Sequence, residues 1–442
     1  MAETAPSRAK TQQRAVLGAF VGTAIEWYDF YIFGTAAALV FGRVFYPDVS
    51  PGAALIASFA TFWVGFLARP IGGIIFSHFG DRYGRKNTLV VTLLLMGVGT
   101  TAIGLLPGYA QIGMAAPILL VVLRAVQGLA VGGEWGGAVV LATENATEGK
   151  RGMAGTWVQQ GSPAGSILAT VMFLIVGTLP DEAFLSWGWR IPFLLSAALV
   201  IVALVIRLKV EESEDFTNIQ ATEKVAKIPL VELFRSSGWL VLFGILASII
   251  GIAMAYFTNT FLLAWTTGEL ALDRTAILNV LLMTAIFQFL WQPVAALIAQ
   301  RFGEQRVMLG GLLWLVAASP FLFWAIQSGS IPWIGVTLIL TTMGGSTYYA
   351  LLASTLSGAF PARVRYTGVS VAYQVCATIF GGSTPLLAQW VLTSSGGSAW
   401  AVMALFLALI AATIFGVLAL ASAQRRAPAD ASHSAPAEEV SA

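Results

Sequence analysis

No charged residue interrupts the stretch from Val307 to Ala362, which reads VMLGGLLWLVAASPFLFWAIQSGSIPWIGVTLILTTMGGSTYYALLASTLSGAFPA. A helix needs about 20 mostly apolar residues to cross a membrane, so this stretch is long enough for two crossings. Turn residues from Gln327 to Pro332 divide it near its middle. The stretch therefore predicts two adjacent transmembrane helices joined by a short loop.

The same pattern recurs along the whole chain. A second uncharged stretch, Tyr366 to Gln424, is divided by turn residues at Ser394–Ser398. Apolar residues make up 57% of the 442 positions and charged residues 10%, which leaves too few polar groups to solvate a soluble protein of this size. We predict an all-α membrane protein with twelve transmembrane helices, near 15–41, 52–76, 88–106, 114–143, 153–178, 189–208, 238–265, 275–299, 306–327, 331–357, 366–392 and 399–422.

The basic residues are distributed unevenly between the two sides of these helices. Most of the 24 Lys and Arg residues lie in one set of connections, whereas Arg43, Arg190 and Arg274 lie in the other. Because cytoplasmic loops carry the excess of basic residues, the first set predicts the cytoplasmic side, here called the inner side. A multi-pass plasma-membrane protein with both termini in the cytoplasm is expected.

A repeated loop motif indicates two related halves. Gly80–Lys86 follows the second predicted helix and Gln300–Arg306 follows the eighth, with Gly84 and Gly303 219 positions apart. Arg151 and Arg365, after helices four and ten, are 214 apart. The predicted organisation is an N-terminal tail (1–14), a six-helix bundle (15–208), a partly helical cytoplasmic linker (209–236), a second six-helix bundle (237–423) and a disordered C-terminal tail (424–442).

Composition excludes several classes of function. A net charge of +2 gives no case for nucleic acid, and one cysteine, Cys376, with two histidines, His78 and His433, cannot build a metal site. The chain has no Gly-x-x-x-x-Gly-Lys-Ser/Thr loop, which argues against an ATP-driven pump. No catalytic cluster and no cofactor are predicted, so an enzyme is not expected. Two repeated halves favour a carrier over a channel.

Several motifs carry a resemblance to a known family. Asp81, Arg82, Gly84, Arg85 and Lys86 match the loop motif of the major facilitator superfamily, although Ser77 replaces its opening glycine. The chain resembles the metabolite:proton symporters of that superfamily still more closely. This second resemblance rests on Glu26-Trp-Tyr-Asp-Phe30, Ala68-Arg-Pro-Ile-Gly-Gly73, Arg124-x-x-Gln-Gly128, Gly132-Gly-Glu-Trp-Gly-Gly137, Gly188-Trp-Arg-Ile-Pro-Phe193, Glu211-Glu-Ser213 and Phe360-Pro-x-Arg-Val-Arg-Tyr-Thr-Gly368.

The resemblance implies a secondary active transporter. Members similar to this chain carry shikimate, 2-oxoglutarate, citrate, aromatic acids, or proline and betaine, and the first half is most similar to the shikimate-permease type. We therefore expect a monomer that takes up a small organic carboxylate with a proton by alternating access. A proton-coupled proline/betaine osmoprotectant carrier is the alternative. It ranks second because residues 424–442 lack the heptads of the coiled coil that some such carriers have.

Five ionisable residues fall deep inside predicted helices of the first half: Glu26, Asp29, Arg69, Arg124 and Glu134. Each costs about 2.5–3.5 kcal/mol at mid-membrane on insertion scales and so needs a reason. Glu26 and Asp29 are three apart and share a helix face, where an arginine can stabilise the ionised carboxylate. Resemblance to sugar/proton symporters singles out Asp29 and Arg124 as the proton-coupling pair, with a static packing pair as the alternative.

The other three buried charges leave their roles open. Glu26 either takes part in proton coupling or satisfies only the backbone or Trp27. Glu134 either lies on a proton path or makes a structural hydrogen bond. Arg69, which precedes Pro70, binds a substrate carboxylate or caps a broken helical turn.

Two further sets of residues are expected to act in transport. Charges at the inner rim are predicted to pair when that side closes, with topology signalling as the alternative, and the set is Asp81, Arg82, Gly84, Arg85, Lys86, Glu144, Arg151 and Arg365. Polar and aromatic residues inside the helices are candidates for substrate contacts. They are Tyr28, Tyr31, Arg69, Gln159, Gln160, Tyr256, Asn259, Gln288, Gln292, Tyr373 and Gln374.

Glycines recur at helical spacing in the fourth predicted helix, at Gly128, Gly132 and Gly136. Small residues at this spacing let two helix backbones approach closely in a membrane. They predict a tight helix-packing interface.

Overall fold

The computed structural model describes residues 8–83, 85–131, 151–208, 229–361 and 364–426. Within these residues, nine helices are long and apolar enough to cross a membrane, and Val90–Leu105 and Ala115–Ala130 form shorter apolar helices. Together with the first helix, Arg8–Ala36, they give twelve. The all-α class and the number of helices are confirmed.

We number the twelve helices in chain order. Their bounds are α1 Arg8–Ala36, continued by Ala37–Phe41 and Gly42–Phe45; α2 Pro51–Tyr83; α3 Arg85–Leu105; α4 Ala115–Ala130; α5 Arg151–Gln159 and Gly161–Gly177; α6 Asp181–Ala183, Phe184–Gly188 and Arg190–Leu208; α7 Pro229–Tyr256, Phe257–Leu262 and Trp265–Glu269; α8 Arg274–Phe302; α9 Glu304–Ser328; α10 Ile331–Ala359; α11 Arg365–Cys376, Ala377–Gly381 and Ser383–Ser394; and α12 Ala399–Arg426. A short helix, Tyr109–Ile112, lies between α3 and α4.

Local sequence explains where α8 and α9 begin and end. The Asp273 side chain accepts a hydrogen bond from the Ala276 amide at 2.7 Å and so caps the start of α8. Gly303, with φ +89°, separates α8 from α9, and Gly329, with φ +64°, ends α9 in the left-handed conformation that glycine tolerates best. The turn predicted within the uncharged stretch is therefore confirmed.

The linker between the halves is described only in part. Pro229–Tyr256 is helical, but Ser237 has φ −140° and ψ +21°, which separates 229–236 from the rest of α7. Residues 209–228 lie outside the described residues, so the domain boundaries at 208 and 236 stay a prediction.

Four helices of the described chain, α1, α6, α7 and α11, contain π-helical segments, and one segment of α1 and one of α7 lie at related places. In α1 the segment is Ala37–Phe41, and in α7 it is Phe257–Leu262, which starts 220 positions later. A π-helical turn holds one residue more than an α-helical turn and is found frequently at functional sites. The separation is close to that of the repeated loop motif and supports two related halves.

Glycines set the spacing of helices in the first half. A Cβ on Gly128 of α4 would overlap the carbonyl oxygen of Gly65 on α2, so the two backbones are in contact there. The close packing predicted for Gly128 is confirmed, while Gly132 and Gly136 lie outside the described residues. On α5, a Cβ on Gly165 would lie 2.7 Å from the carbonyl oxygen of Ala24, so α5 also packs closely against α1.

Hydrogen bonds also join the two halves directly. Trp63 Nε1 on α2 donates to the Thr378 carbonyl on α11 at 2.8 Å, and Thr156 Oγ1 on α5 donates to the Ala350 carbonyl on α10 at 3.0 Å. In α10, 78% of the residues in its most apolar segment are buried, a larger share than in any other candidate membrane-spanning helix of the described chain. This helix therefore lies in the interior, beside the interface between the halves.

Candidate functional site

Asp29 is the one acidic side chain that is buried in the described part of the chain, with 1% exposure. Its Oδ2 accepts a hydrogen bond from Thr100 Oγ1 of α3 at 2.8 Å, and its Oδ1 accepts one from Ser196 Oγ of α6 at 2.6 Å. The carboxylate thus lies inside the first half, among α1, α3 and α6, where neutral hydroxyls replace its water.

Arg124 reaches Asp29 through two intermediate side chains. Its Nη1 donates to Gln127 Oε1 at 3.1 Å, and Gln127 Nε2 donates to Thr100 Oγ1 at 2.6 Å. No salt bridge joins Arg124 to Asp29 in the described chain, so the two residues are linked through Gln127 and Thr100, and their role as a proton-coupling pair stays a prediction. Gln127 is three positions after Arg124, so its amide lies on the same face of α4 and takes the guanidinium instead.

The Arg124 guanidinium lies among phenylalanine rings. Its central carbon is 4.2 Å from the ring centre of Phe33, 4.5 Å from that of Phe30 and 4.9 Å from that of Phe62. Its Nε donates to the Phe62 carbonyl at 3.3 Å, and its Nη2 has no acceptor in the described chain. Gly65 makes room for the group, because a Cβ there would lie 2.5 Å from Nε.

Arg69 adds a second buried cation to the same rings. Its guanidinium carbon is 4.2 Å from the ring centre of Phe30 and 4.6 Å from that of Phe66. The side chain is 6% exposed, and its Nε has no acceptor among the described residues. Two arginines therefore share Phe30, and each has one buried N–H group without an acceptor. A buried N–H donor without an acceptor is costly, and an anion brought beside these two groups would supply one.

A cavity between the halves holds about 520 Å³, its open side included. Every lining residue in the described chain is uncharged, and polar groups reach it from both halves. Of the predicted substrate residues, Asn259 and Gln288 line it. The other principal polar lining residues are Ser162, Ser166, Ser346 and Tyr349.

Three of the predicted substrate residues donate hydrogen bonds to backbone carbonyls and do not line the cavity. Tyr28 donates its hydroxyl to the Pro192 carbonyl at 2.7 Å inside the first half, which corrects its assignment as a substrate contact. Gln159 and Gln160 donate to the Tyr349 and Phe289 carbonyls at 3.3 and 2.8 Å and so join the halves.

An aromatic cluster lies beside the cavity. Tyr31 stacks on Trp27 with ring centres 5.5 Å apart, and Trp27 stacks on Tyr256 at 6.0 Å. The Tyr31 hydroxyl is 2.9 Å from that of Ser162, which lines the cavity. Tyr31 and Tyr256 therefore lie near the site without lining it.

The remaining predicted substrate residues do not line the cavity. Gln292 is buried, and neither of its amide atoms has a partner within the described chain. Tyr373 and Gln374 lie on α11. Glu26 is half-buried and close enough to Tyr256 and Tyr349 to interact with them electrostatically.

Sequence reasoning missed the hydroxyl groups of the site. Ser166, Ser196 and Thr100 gave no signal, because serine and threonine in membrane helices commonly bond their own backbone. Gln127 could have been found, since it stands inside the motif Arg124-x-x-Gln-Gly128.

Much of the predicted inner rim lies outside the described residues. This holds for Gly84 and Glu144, and for the side chains of five charged residues: Asp81, Arg82, Arg85, Lys86 and Arg151. Glu134, predicted to act in a proton path or a structural hydrogen bond, also lies outside the described residues. Arg365 is described, and its Nε donates to the Phe360 carbonyl at 3.3 Å at the start of α11.

At the opposite rim, Arg274 connects the two halves. From the start of α8, its Nη1 lies 3.2 Å from Asp181 Oδ1 and its Nη2 donates to the Gly177 carbonyl at 3.1 Å. Its guanidinium carbon is 4.1 Å from the ring centre of Phe184. All three partners belong to the end of α5 or the start of α6. The sequence had marked Arg274 only as an indicator of topology.

Arg274→Gln is expected to open the outer side more often. It removes the carbonyl hydrogen bond, the ring contact and the ion pair together, so we expect about tenfold more opening. Asp181→Asn removes only an ion pair with an exposed carboxylate and should change opening by less than about threefold. The measurement is labelling of Ser346→Cys by an impermeant maleimide from outside, in a Cys376→Ser background.

The matched control for this labelling is Arg190→Gln. Arg190 also lies at the rim opposite the predicted inner side, but its Nη1 donates to the Gly104 and Leu106 carbonyls at 3.0 and 2.5 Å, within the first half. Equal labelling of the Arg190 and Arg274 variants would contradict a role of Arg274 in closing the outer side.

Comparison with known proteins agrees with this architecture. The model of the Major Facilitator Superfamily matches residues 19–384. The chain is 42% identical over 400 residues to the Shikimate transporter of Escherichia coli (strain K12), covering 89% of this chain and 91% of that protein. It is 33% identical over 394 residues to a Proline/betaine transporter of Salmonella typhimurium, covering 87% of this chain and 78% of that protein.

A solved structure shows the same fold. The crystal structure of a D-xylose-proton symporter superposes with a TM-score of 0.72, covering 92% of this chain and 96% of that one. At 16% sequence identity, the likeness is one of fold alone.

Proposed function

The chain belongs to the Major Facilitator Superfamily and to its metabolite:proton symporters, and from this premise we propose that it imports a small organic carboxylate together with a proton. It is a secondary active transporter and not an enzyme. A hydroxylated or cyclic monoanion fits best, because the relative with 42% identity is named a shikimate transporter.

The observation that carries the carboxylate assignment is the pair of arginines on Phe30. Arg69 Nε and Arg124 Nη2 are buried donors without acceptors in the described chain, and both belong to guanidinium groups. The cavity between the halves supplies hydroxyl and amide groups for the rest of a polar substrate.

We assign the proton to Asp29. A carboxylate held by two hydroxyls in the interior is a group whose ionised form is disfavoured by loss of water, so it can accept and release a proton during transport. Asp29 is linked to Arg124 through Gln127 and Thr100, so its protonation can affect how the arginines bind the anion.

A proline or betaine carrier is the second candidate. One relative at 33% identity is named a Proline/betaine transporter. The stacked rings of Trp27, Tyr31 and Tyr256 favour this reading, since aromatic faces bind quaternary ammonium groups.

The orientation of the chain and its oligomeric state complete the proposal. We place both termini in the cytoplasm and the protein in the plasma membrane as a monomer. The charges of 81–86, 144 and 151 form the inner gate in this proposal.

The driving force of uptake separates the two candidates. A monoanion that enters with one proton moves no net charge, so the pH gradient alone drives it, by about 1.36 kcal/mol per pH unit. A zwitterion that enters with one proton moves one positive charge, and an inside-negative potential adds about 2.3 kcal/mol per 100 mV. Purified protein in liposomes should accumulate radiolabelled shikimate with a pH gradient and no potential.

The same liposomes test the alternative with radiolabelled glycine betaine. Strong uptake of betaine driven by potential alone, with no uptake of shikimate or other organic acids, would replace the carboxylate proposal. Uptake of a monoacid driven by potential would keep the substrate and require more than one proton per cycle.

A further inference from the structure

The Thr100 hydroxyl lies within hydrogen-bond distance of three groups. Its Oγ1 is 2.8 Å from Asp29 Oδ2, 2.9 Å from the Met96 carbonyl oxygen and 2.6 Å from Gln127 Nε2. Thr100 is completely buried, so water is not a fourth partner. A hydroxyl has one proton to donate and two lone pairs that accept, which limits how these three contacts can be used.

Arg124 fixes the direction of the hydrogen bonds. A guanidinium only donates, so the Gln127 oxygen must face Arg124 and the Gln127 amide group must face Thr100. Thr100 therefore accepts from Gln127, and its own proton has two remaining acceptors, the Asp29 carboxylate and the Met96 carbonyl.

The two acceptors correspond to the two protonation states of Asp29. When Asp29 is ionised, the Thr100 proton points to Oδ2. When a proton binds Oδ2, one O–H bond forms on Asp29, that bond donates to the free lone pair of Thr100, and the Thr100 proton turns to Met96. Thr100 keeps its own proton throughout, and Ser196 donates to Oδ1 in both states. Every group in this set stays hydrogen-bonded.

We propose that Thr100 is a positioning residue for proton coupling, whose hydroxyl turns between Asp29 and Met96 as Asp29 gains and loses its proton. This rests on the proposed function, in which Asp29 carries the proton. In the ionised state, the donors run in one direction from Arg124 through Gln127 and Thr100 to a negative charge. In the protonated state, this chain of donors ends at the neutral Met96 carbonyl. Arg124 then no longer has the Asp29 charge as its counter-charge and can bind an incoming anion more strongly.

Few ionisable groups lie near Asp29. The chain places no ionisable residue between positions 88 and 105 of α3 or between 155 and 177 of α5. Arg190 on α6 bonds backbone carbonyls at the outer rim. The ionisable groups that remain near the site are Tyr28 and Glu26 on α1, Arg69 on α2, Arg124 on α4 and Tyr256 on α7.

The test compares Thr100→Val, which keeps the shape and removes the hydroxyl, with Thr100→Ser, which keeps the hydroxyl. Loss of hydrogen bonds to a buried charged group should lower proton-driven accumulation about tenfold or more, and move the pH of half-maximal uptake by about one unit. Exchange of labelled for unlabelled substrate at equal pH should change less than about threefold, because Thr100 is not in the cavity lining. Thr100→Ser should restore both accumulation and pH profile.

Thr101→Val is the matched control. The Thr101 hydroxyl donates to the Gly97 carbonyl of its own helix at 2.7 Å and takes no part in the Asp29 set. Its pH profile should equal that of the wild type. A pH profile of Thr100→Val equal to that of Thr101→Val, or a Thr100→Ser variant as defective as Thr100→Val, would overturn the proposal.

Asp29→Asn separates this proposal from the one it rests on. Full proton-driven accumulation by Asp29→Asn would remove Asp29 as the coupling group, and the role of Thr100 with it. Loss of accumulation in Asp29→Asn with a normal Thr100→Val variant would remove only the role of Thr100. In the Asp29→Asn background, Thr100→Val should produce no additional change in pH dependence.

Discussion

Asp29→Asn is expected to abolish accumulation of substrate while exchange continues. A one-proton symporter accumulates its substrate up to about tenfold per pH unit, and the variant should reach a ratio of about one, because an amide carries no titratable proton. The structure accommodates the change, since the amide oxygen can accept from Ser196 and the amide nitrogen can donate to Thr100. The introduced amide would thus imitate the protonated acid.

The measurement is paired uptake and exchange in liposomes. Exchange at equal pH should remain within about threefold of the wild type, since Asp29 is absent from the cavity lining. Asp181→Asn makes the same chemical change on a carboxylate with 76% exposure and should still accumulate substrate. Accumulation by Asp29→Asn that follows the pH gradient would remove Asp29 from the coupling mechanism.

Arg124→Gln is expected to eliminate both accumulation and exchange. It removes the bonds to Gln127 and to the Phe62 carbonyl and leaves a ring-lined space without its cation. Deleting one partner of a buried charged network costs about 3–5 kcal/mol of stability. Because the anion also loses the cation proposed to bind it, we expect about a hundredfold loss of transport or more. Arg124→Lys should recover only part of the transport activity. An ammonium group cannot bond both Gln127 and the Phe62 carbonyl, and it has no flat face to stack on the phenylalanine rings.

Two controls separate the loss of charge from a failure to fold. Detergent-solubilised Arg124→Gln should be compared with the wild type by size-exclusion chromatography and thermal unfolding. Gly65→Ala keeps the charge but places a Cβ 2.5 Å from the present position of Nε, so it should reduce transport through displacement of the guanidinium. Normal exchange by a folded Arg124→Gln variant would contradict a central role for Arg124.

The architecture and the important charges were accessible from the sequence for simple physical reasons. Two uncharged stretches of more than 50 residues permit only membrane helices. Asp29, Arg69 and Arg124 stood out because a charge inside a predicted membrane helix is costly. The family followed from motifs such as Glu26–Phe30 and is confirmed.

The partners of those charges were not accessible, because they depend on tertiary contacts. Asp29 is bound by hydroxyls on α3 and α6, 71 and 167 positions away, and serines and threonines occur throughout the chain. An arginine and a carboxylate in one bundle suggest a direct pair. Gln127 stands in the motif Arg124-x-x-Gln-Gly128, but its bond to Thr100 forms only once α4 packs against α3.

The π-helical segments of α1 and α7 have a consequence for the history of the chain. Each corresponds to one inserted residue in a helix, and an insertion normally weakens helical hydrogen bonding. The insertions begin 220 positions apart, at Ala37 and Phe257, close to the interval between the repeated loop motifs. Two separate insertions at matching depth require a coincidence, whereas one insertion in an ancestral six-helix unit, copied when the gene duplicated, requires none. The extra residue is then older than the two-bundle transporter itself.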